Sequence, residues 1–186
     1  MPADALQDKA VQYATGAMPP GQRECFDVLL EARPELRDLV DGLQQVTAAV
    51  ALADIPALLE PPADLKARVL TAVELPPVQA EPDGLVVTDP AGCVEWISPG
   101  FSEMCGYALA ELKGLKPGRV LQGPETDAAS VQRIRAALQS GQDCRETLVN
   151  YHKDGRRYRV DVRIAPIMDD EGRLLCFVAR EWELPV

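Results

Sequence analysis

The stretch Leu75-Pro76-Pro77-Val78-Gln79-Ala80-Glu81-Pro82 divides a 186-residue chain into two halves with different patterning. Proline fixes φ and has no N–H to donate, so a run this rich in it belongs to neither a helix interior nor a central strand. Before it, apolar residues recur at helical spacing. After it, they alternate. The sequence therefore predicts a helical unit at 1–75, a connector at 76–82 and a mixed unit at 83–186. The length suits two small units of this kind.

The first unit reads as four helices. One covers about Ala3–Thr15 and stops at Gly16; a second follows Pro19-Pro20-Gly21 and runs to Ala32. A third starts at Pro34, a residue suited to a first helical turn, and ends before Pro56. Leu36, Leu39, Val40, Leu43, Val46 and Val50 give it a continuous apolar stripe. Asp64 can cap a fourth helix carrying Leu65, Val69, Leu70 and Val73. So few helices enclose a thin core. Either the fourth closes a four-helix bundle, or part of this apolar surface is completed by a partner.

The second unit has sharper signals. Gly84–Thr88 and Cys93–Ser98 alternate around an Asp89-Pro90-Ala91-Gly92 turn and form a hairpin. Phe101–Tyr107 and Leu109–Leu112 read as short helical turns, and Asp127 caps a helix carrying Val131, Ile134 and Leu138. Strands follow at Arg145–His152, Tyr158–Ile167 and Leu174–Trp182, joined at Lys153-Asp154-Gly155 and Asp169-Asp170-Glu171-Gly172. The order gives an α+β fold with one five-stranded antiparallel sheet. Gly84, Gly92, Gly155 and Gly172 read as turn glycines, and Asp169, Asp170 and Glu171 as a solvated turn.

Composition removes several function classes. A net charge of −10 and a pI near 4.6 argue against nucleic acid and anionic membranes as partners. No apolar run spans a bilayer and no secretory leader precedes the first helix, so the expected location is the cytoplasm. The cysteines, Cys25, Cys93, Cys105, Cys144 and Cys176, lie too far apart for a zinc knuckle or a redox pair and read as reduced thiols. His152 is the sole histidine and falls at a hairpin turn, which reads as surface. No nucleophile–base set, metal site or phosphate-cradling loop is visible, and the chain is not expected to be an enzyme.

Two resemblances follow from longer stretches. Tyr13-Ala14-Thr15-Gly16-Ala17-Met18 and the segment Gln22–Arg37 resemble the anti-sigma factor domain, over residues 3–74. That family often holds zinc through H-x-x-x-C-x-x-C. Leu29, Arg33 and Leu36 stand at those positions here, so the resemblance implies a zinc-free member in which apolar packing replaces the metal. It implies binding to a sigma factor of the extracytoplasmic-function (ECF) type. Leu39, Leu43, Val46, Leu65, Val69 and Leu70 are the expected contacts by apolar face.

In the second unit, Asp83–Asp89, Glu95–Phe101, Cys105-Gly106-Tyr107, Leu121–Asp127, Asn150–Gly155 and Phe177–Arg180 resemble the PAS family of sensor domains. Leu121-Gln122-Gly123-Pro124-Glu125-Thr126-Asp127 and Asn150-Tyr151-His152-Lys153-Asp154-Gly155 look most like the LOV branch, whose members bind flavin and sense blue light. LOV domains carry a cysteine that forms an adduct with the flavin; here Pro117 and Gly118 occupy that region, and no cysteine matches it. Gln122 and Asn150 match flavin-ring contacts, and Arg119 and Arg135 match the pair that holds a flavin phosphate. Val160 replaces a second asparagine, and Glu181 replaces a glutamine.

Strand alternation places Leu148, Asn150, Val160, Val162, Ile164, Phe177, Ala179 and Glu181 on one face, an apolar wall with two polar groups. Such a wall suits a flat ligand or plain core packing. If Glu181 is buried, desolvation raises its pKa and makes it a carboxylic acid able to donate a hydrogen bond.

Together the resemblances imply a cytoplasmic sensory anti-sigma factor: the helical half sequesters an ECF-type sigma factor, and the PAS half senses a signal or forms a homodimer. No output segment follows the last strand, so the output falls to the helices. On this reading no cofactor is expected. The alternatives are a flavin-binding (FMN or FAD) photosensor or redox sensor without adduct chemistry, and a ligand-free dimerisation module.

Overall fold

The computed structural model describes residues 3–53, 62–66, 68 and 83–185. Three helices come first: α1 (Ala3–Ala14), α2 (Pro20–Ala32) and α3 (Pro34–Ala53). Pro20 and Pro34 each begin a helix, where a missing N–H costs nothing. Strands β1 (Gly84–Thr88) and β2 (Val94–Ile97) make the first hairpin. Four short helices follow: α4 (Pro99–Cys105), α5 (Leu109–Leu112), α6 (Pro117–Leu121) and α7 (Ala128–Gln139). Strands β3 (Cys144–Tyr151), β4 (Arg157–Met168) and β5 (Leu174–Leu184) complete the fold. The class is α+β, as the patterning predicts; α6 has no counterpart in the sequence reading.

The five strands form one antiparallel sheet in the order β2-β1-β5-β4-β3. The last strand is thus central, paired with β1 on one side and β4 on the other. Each face carries its own apolar layer. The inner layer joins Val86, Leu148, Val160, Val162 and Ala179 to Phe101, Cys105, Leu112, Leu121 and Ile134 of the short helices. The outer layer joins Val87, Ile167, Cys176 and Val178 to Leu6, Ala10, Cys25, Phe26, Leu29, Leu36 and Val40 of α1–α3. The N-terminal helices therefore share a core with the sheet. Three ion pairs stitch the margin: Lys9 to Asp170 at 2.7 Å, Arg33 to Glu95 at 2.7 Å and Arg180 to Glu24 at 2.6 Å.

Three expectations need correction. Gly84 is not a turn glycine. It is buried in β1, where an added Cβ would lie 2.8 Å from the Phe101 ring and 3.0 Å from Met104 Cε. The acidic turn is not simply solvated. Asp169 is buried and accepts from the backbone of Glu171 and Arg173, and Asp170 pairs with Lys9 of α1. His152 is not a surface residue: its side chain is half-buried, with the ring lying where a Cβ on Gly106 would project.

Candidate functional site

The inner layer places the site. Residues directly opposite in an antiparallel pair point to the same side of the sheet. Asn150 of β3 lies opposite Tyr158 of β4, and Val162 of β4 lies opposite Glu181 of β5. Glu181 is also opposite Gly84 of β1. Tyr158, Val160 and Val162 succeed one another along β4, so Tyr158 and Glu181 approach the interior from adjacent strands. The missing side chain at Gly84 leaves room for Phe101 and Met104 to close over the strand next to Glu181.

Asn150, Tyr158 and Glu181 are almost fully buried, at 4%, 5% and 5% exposure. Among the described residues, Asn150 Oδ1, the Tyr158 hydroxyl and Glu181 Oε2 make no hydrogen bond of good geometry, although the Asn150 side chain lies close enough to the Tyr158 hydroxyl to lower its pKa. Each such atom, left without a partner away from water, costs about 1–3 kcal/mol. Buried polar atoms in folded proteins are nearly always paired, so three on neighbouring strands point to a group that binds among them. Burial pushes the Glu181 carboxyl up to about 7 from its ordinary 4.5. Burial also pushes up the Tyr158 hydroxyl, aided by the charge of Glu181. The Cys105 thiol is raised by the same cause and lies in the field of Glu181 too. One acid, one phenol, one amide and one thiol thus share an otherwise apolar interior.

The residues singled out from sequence fall into two sets. Asn150 and Glu181 belong to the interior cluster, with Val160, Val162, Ile164, Leu148 and Ala179 forming its wall. Phe177 is buried opposite Thr88 and Pro166, farther along β5. Gln122 ends α6 half-buried, its amide against Gly118. Arg119 and Arg135 are exposed on α6 and α7 and are not drawn into the interior.

In the helical half, Leu39 and Leu43 pack against the outer core, whereas Val46 is 63% exposed and Leu65 39% exposed. Val69, Leu70 and the connector at 76–82 lie outside the described residues. Among the described residues no cluster of metal-ligating side chains occurs, and no helix is long and apolar enough to cross a membrane. Tyr158 is the buried polar residue of this interior that sequence reading missed. Its signal was present, because it shares the alternation of Val160 and Val162.

Comparison with known proteins bears on this geometry. Over 97 residues the chain is 38% identical to phototropin-2 of Oryza sativa subsp. japonica, covering 52% of this chain and 11% of that protein. Over 94 residues it is 34% identical to the blue-light photoreceptor of Listeria monocytogenes, covering 49% of this chain and 37% of that protein. It thus spans only a fraction of the curated relatives it matches. The LOV structure of the blue-light photoreceptor aureochrome 1 superposes with a TM-score of 0.54 at 30% identity, over 56% of this chain and 83% of that one.

A LOV domain structure studied with a flavin analogue superposes with a TM-score of 0.52 at 30% identity, over 65% of this chain and 85% of that one. A flat heterocycle needs apolar walls for its faces and donors or acceptors along its edges. The orphaned atoms of Asn150, Tyr158 and Glu181 supply an edge, and Val160, Val162 and Leu121 supply walls. Such an edge and such walls are what a flat ring would need. Residues 82–180, more than half of the chain, match the family described as the PAS domain, and the chain belongs to that family, with a LOV-like sensor domain covered on its outer sheet face by three N-terminal helices.

Proposed function

We propose that the chain is a sensor whose PAS half holds a flavin-type ring in the inner layer by hydrogen bonds alone, and whose N-terminal helices carry the output. The observation behind this reading is the triad of buried, unpartnered polar atoms on Asn150, Tyr158 and Glu181. These residues and Gln122 would hold the ring edges, and the apolar wall would exclude water from its faces. The bound ring would supply light absorption or reversible reduction. With Pro117 and Gly118 in the region of the adduct cysteine, the signal would pass through hydrogen bonds rather than a sulfur–carbon bond. The test is to purify the full chain, denature it and identify any released chromophore by mass spectrometry. Release of near-stoichiometric flavin supports the reading. A colourless chain that also fails to bind added riboflavin overturns it.

A second reading concerns the helices. The apolar stripe of α3 is buried at Leu36 and Val40 but emerges at Val46 and Val50, both 63% exposed. We propose that this surface binds an ECF-type sigma factor, the partner that the anti-sigma resemblance implies. The overall charge of −10 suits a basic, DNA-binding partner by speeding encounter. Affinity capture with the full chain, compared with a Val46→Asp/Val50→Asp variant, tests it. A sigma factor retained by the wild type and lost by the variant supports the reading. Retention of no sigma factor by the wild type rejects it.

A further inference from the structure

Glu181 is set apart from the other interior groups by what faces it. Across the sheet it meets Gly84 on β1 and Val162 on β4. From α4, Phe101 and Met104 lie against Gly84, and the Cys105 thiol shares the field of the carboxyl. From β4 the Tyr158 hydroxyl does the same. Burial raises its carboxyl, and among the described residues no cation offsets that. On the solvent side, Met104 also lines a surface cleft bordered by the carboxylates of Asp83, Glu103 and Glu183. An ionised carboxylate in this setting has neither counter-charge nor internal hydrogen bond at Oε2. A neutral acid there has one O–H to give and needs an acceptor.

We infer that Glu181 and Tyr158 are the specificity-determining pair of the interior site, with Glu181 engaging the ligand only as the neutral acid, donating its proton to an uncharged acceptor on the ring while the Tyr158 hydroxyl bonds the same edge. This deepens the ligand reading above and rests on it. Binding then couples to pH. Glu181 sits near 7 in the free protein, so the ligand finds it neutral below that value and must draw a proton onto it above. Cys105 and Tyr158 are both pushed upward and stay neutral through the same range, so they add nothing to the coupling.

The experiment is calorimetric titration of the ligand-free full chain with riboflavin, which lacks the phosphate. It is run at pH 6 and pH 8 in pairs of buffers with different ionisation heats. The expected result is affinity about tenfold weaker at pH 8 than at pH 6, with about one proton taken up per riboflavin at pH 8. Glu181→Gln should bind with the same affinity at both pH values and take up no proton. Tyr158→Phe should keep the proton uptake and lose about threefold to tenfold in affinity. The buffer comparison on the wild type decides the matter even if a variant folds poorly. Riboflavin binding that is independent of pH, without proton uptake, overturns this inference while leaving the flavin reading intact. Persistence of the pH dependence in Glu181→Gln overturns it in the same way. Absence of riboflavin binding at either pH overturns both.

Discussion

Glu181 carries a stability cost that depends on pH. Its carboxyl is raised in the folded state, to about 7 from 4.5, so between those values the unfolded chain releases a proton that the folded chain keeps. Unfolding free energy therefore falls as pH rises from about 4.5 to 7 and levels off above. The shift corresponds to about 3 kcal/mol. We expect Glu181→Gln to flatten this decline and to raise the melting temperature at pH 8 relative to wild type, as read by circular dichroism. A wild type with no decline across that window would place the carboxyl in solvent. Gly106 is the second residue with a specific demand. It ends α4 at φ 78°, and a Cβ there would lie 2.4 Å from His152 Cε1. Gly106→Ala meets both a disfavoured backbone and the His152 ring. A loss of about 1–3 kcal/mol in denaturant unfolding is expected, with part of it recovered in the Gly106→Ala/His152→Ala pair.

Among the elements, α7 shows how local chemistry sets a boundary. Asp127 caps it, its Oδ2 accepting from the Ser130 amide at 2.8 Å and from the Ser130 hydroxyl at 2.9 Å. These bonds hold the Asp127 carboxyl below its ordinary range. Asp127→Ala should lower the midpoint of chemical denaturation at pH 7 through loss of the cap. This cap was readable from sequence because it needs only neighbours in the chain. The short helix α6 was not, since Pro117–Leu121 offers too few residues for a period to register. The acidic turn was misjudged for a different reason. Asp170 finds Lys9 across 161 positions of sequence, and no local pattern announces such a partner.

For the molecule as a whole, the question is what holds α1–α3 on the sheet. The Arg33–Glu95 and Arg180–Glu24 pairs join partly exposed side chains and contribute at most about 1 kcal/mol each, while the third pair joins the buried Lys9 to the exposed Asp170. Phe26 and Leu29, at 1% and 0% exposure, lie in the shared outer core. Leu29→Ala should cost about 2–5 kcal/mol, well beyond what molar salt removes by screening the ion pairs. Comparing the two perturbations by denaturant unfolding tests this ordering; a larger effect from salt would mean that charge holds the helices. The same docking covers the outer sheet face, so dimerisation through that face would require the helices to leave it.

The alternation of apolar residues was enough to place Asn150, Val160, Val162 and Glu181 on one face, because side chains in a strand point to opposite sides at every step. Helical spacing likewise located α1–α3, and the loss of both periods in a proline run marked the break between halves. The run Leu174-Leu175-Cys176-Phe177-Val178-Ala179 also held an unused signal: a strand apolar at every position is buried on both faces. Only the folded chain decided what would cover the second face, since the pairing of β5 with β1 and the docking of α2 are contacts between segments far apart in sequence. The same holds for the fate of the α3 stripe, buried at Leu36 and Val40 and exposed at Val46 and Val50. A periodic pattern states which residues share a face. It does not state how far a neighbour extends along that face, and that depends on long-range packing.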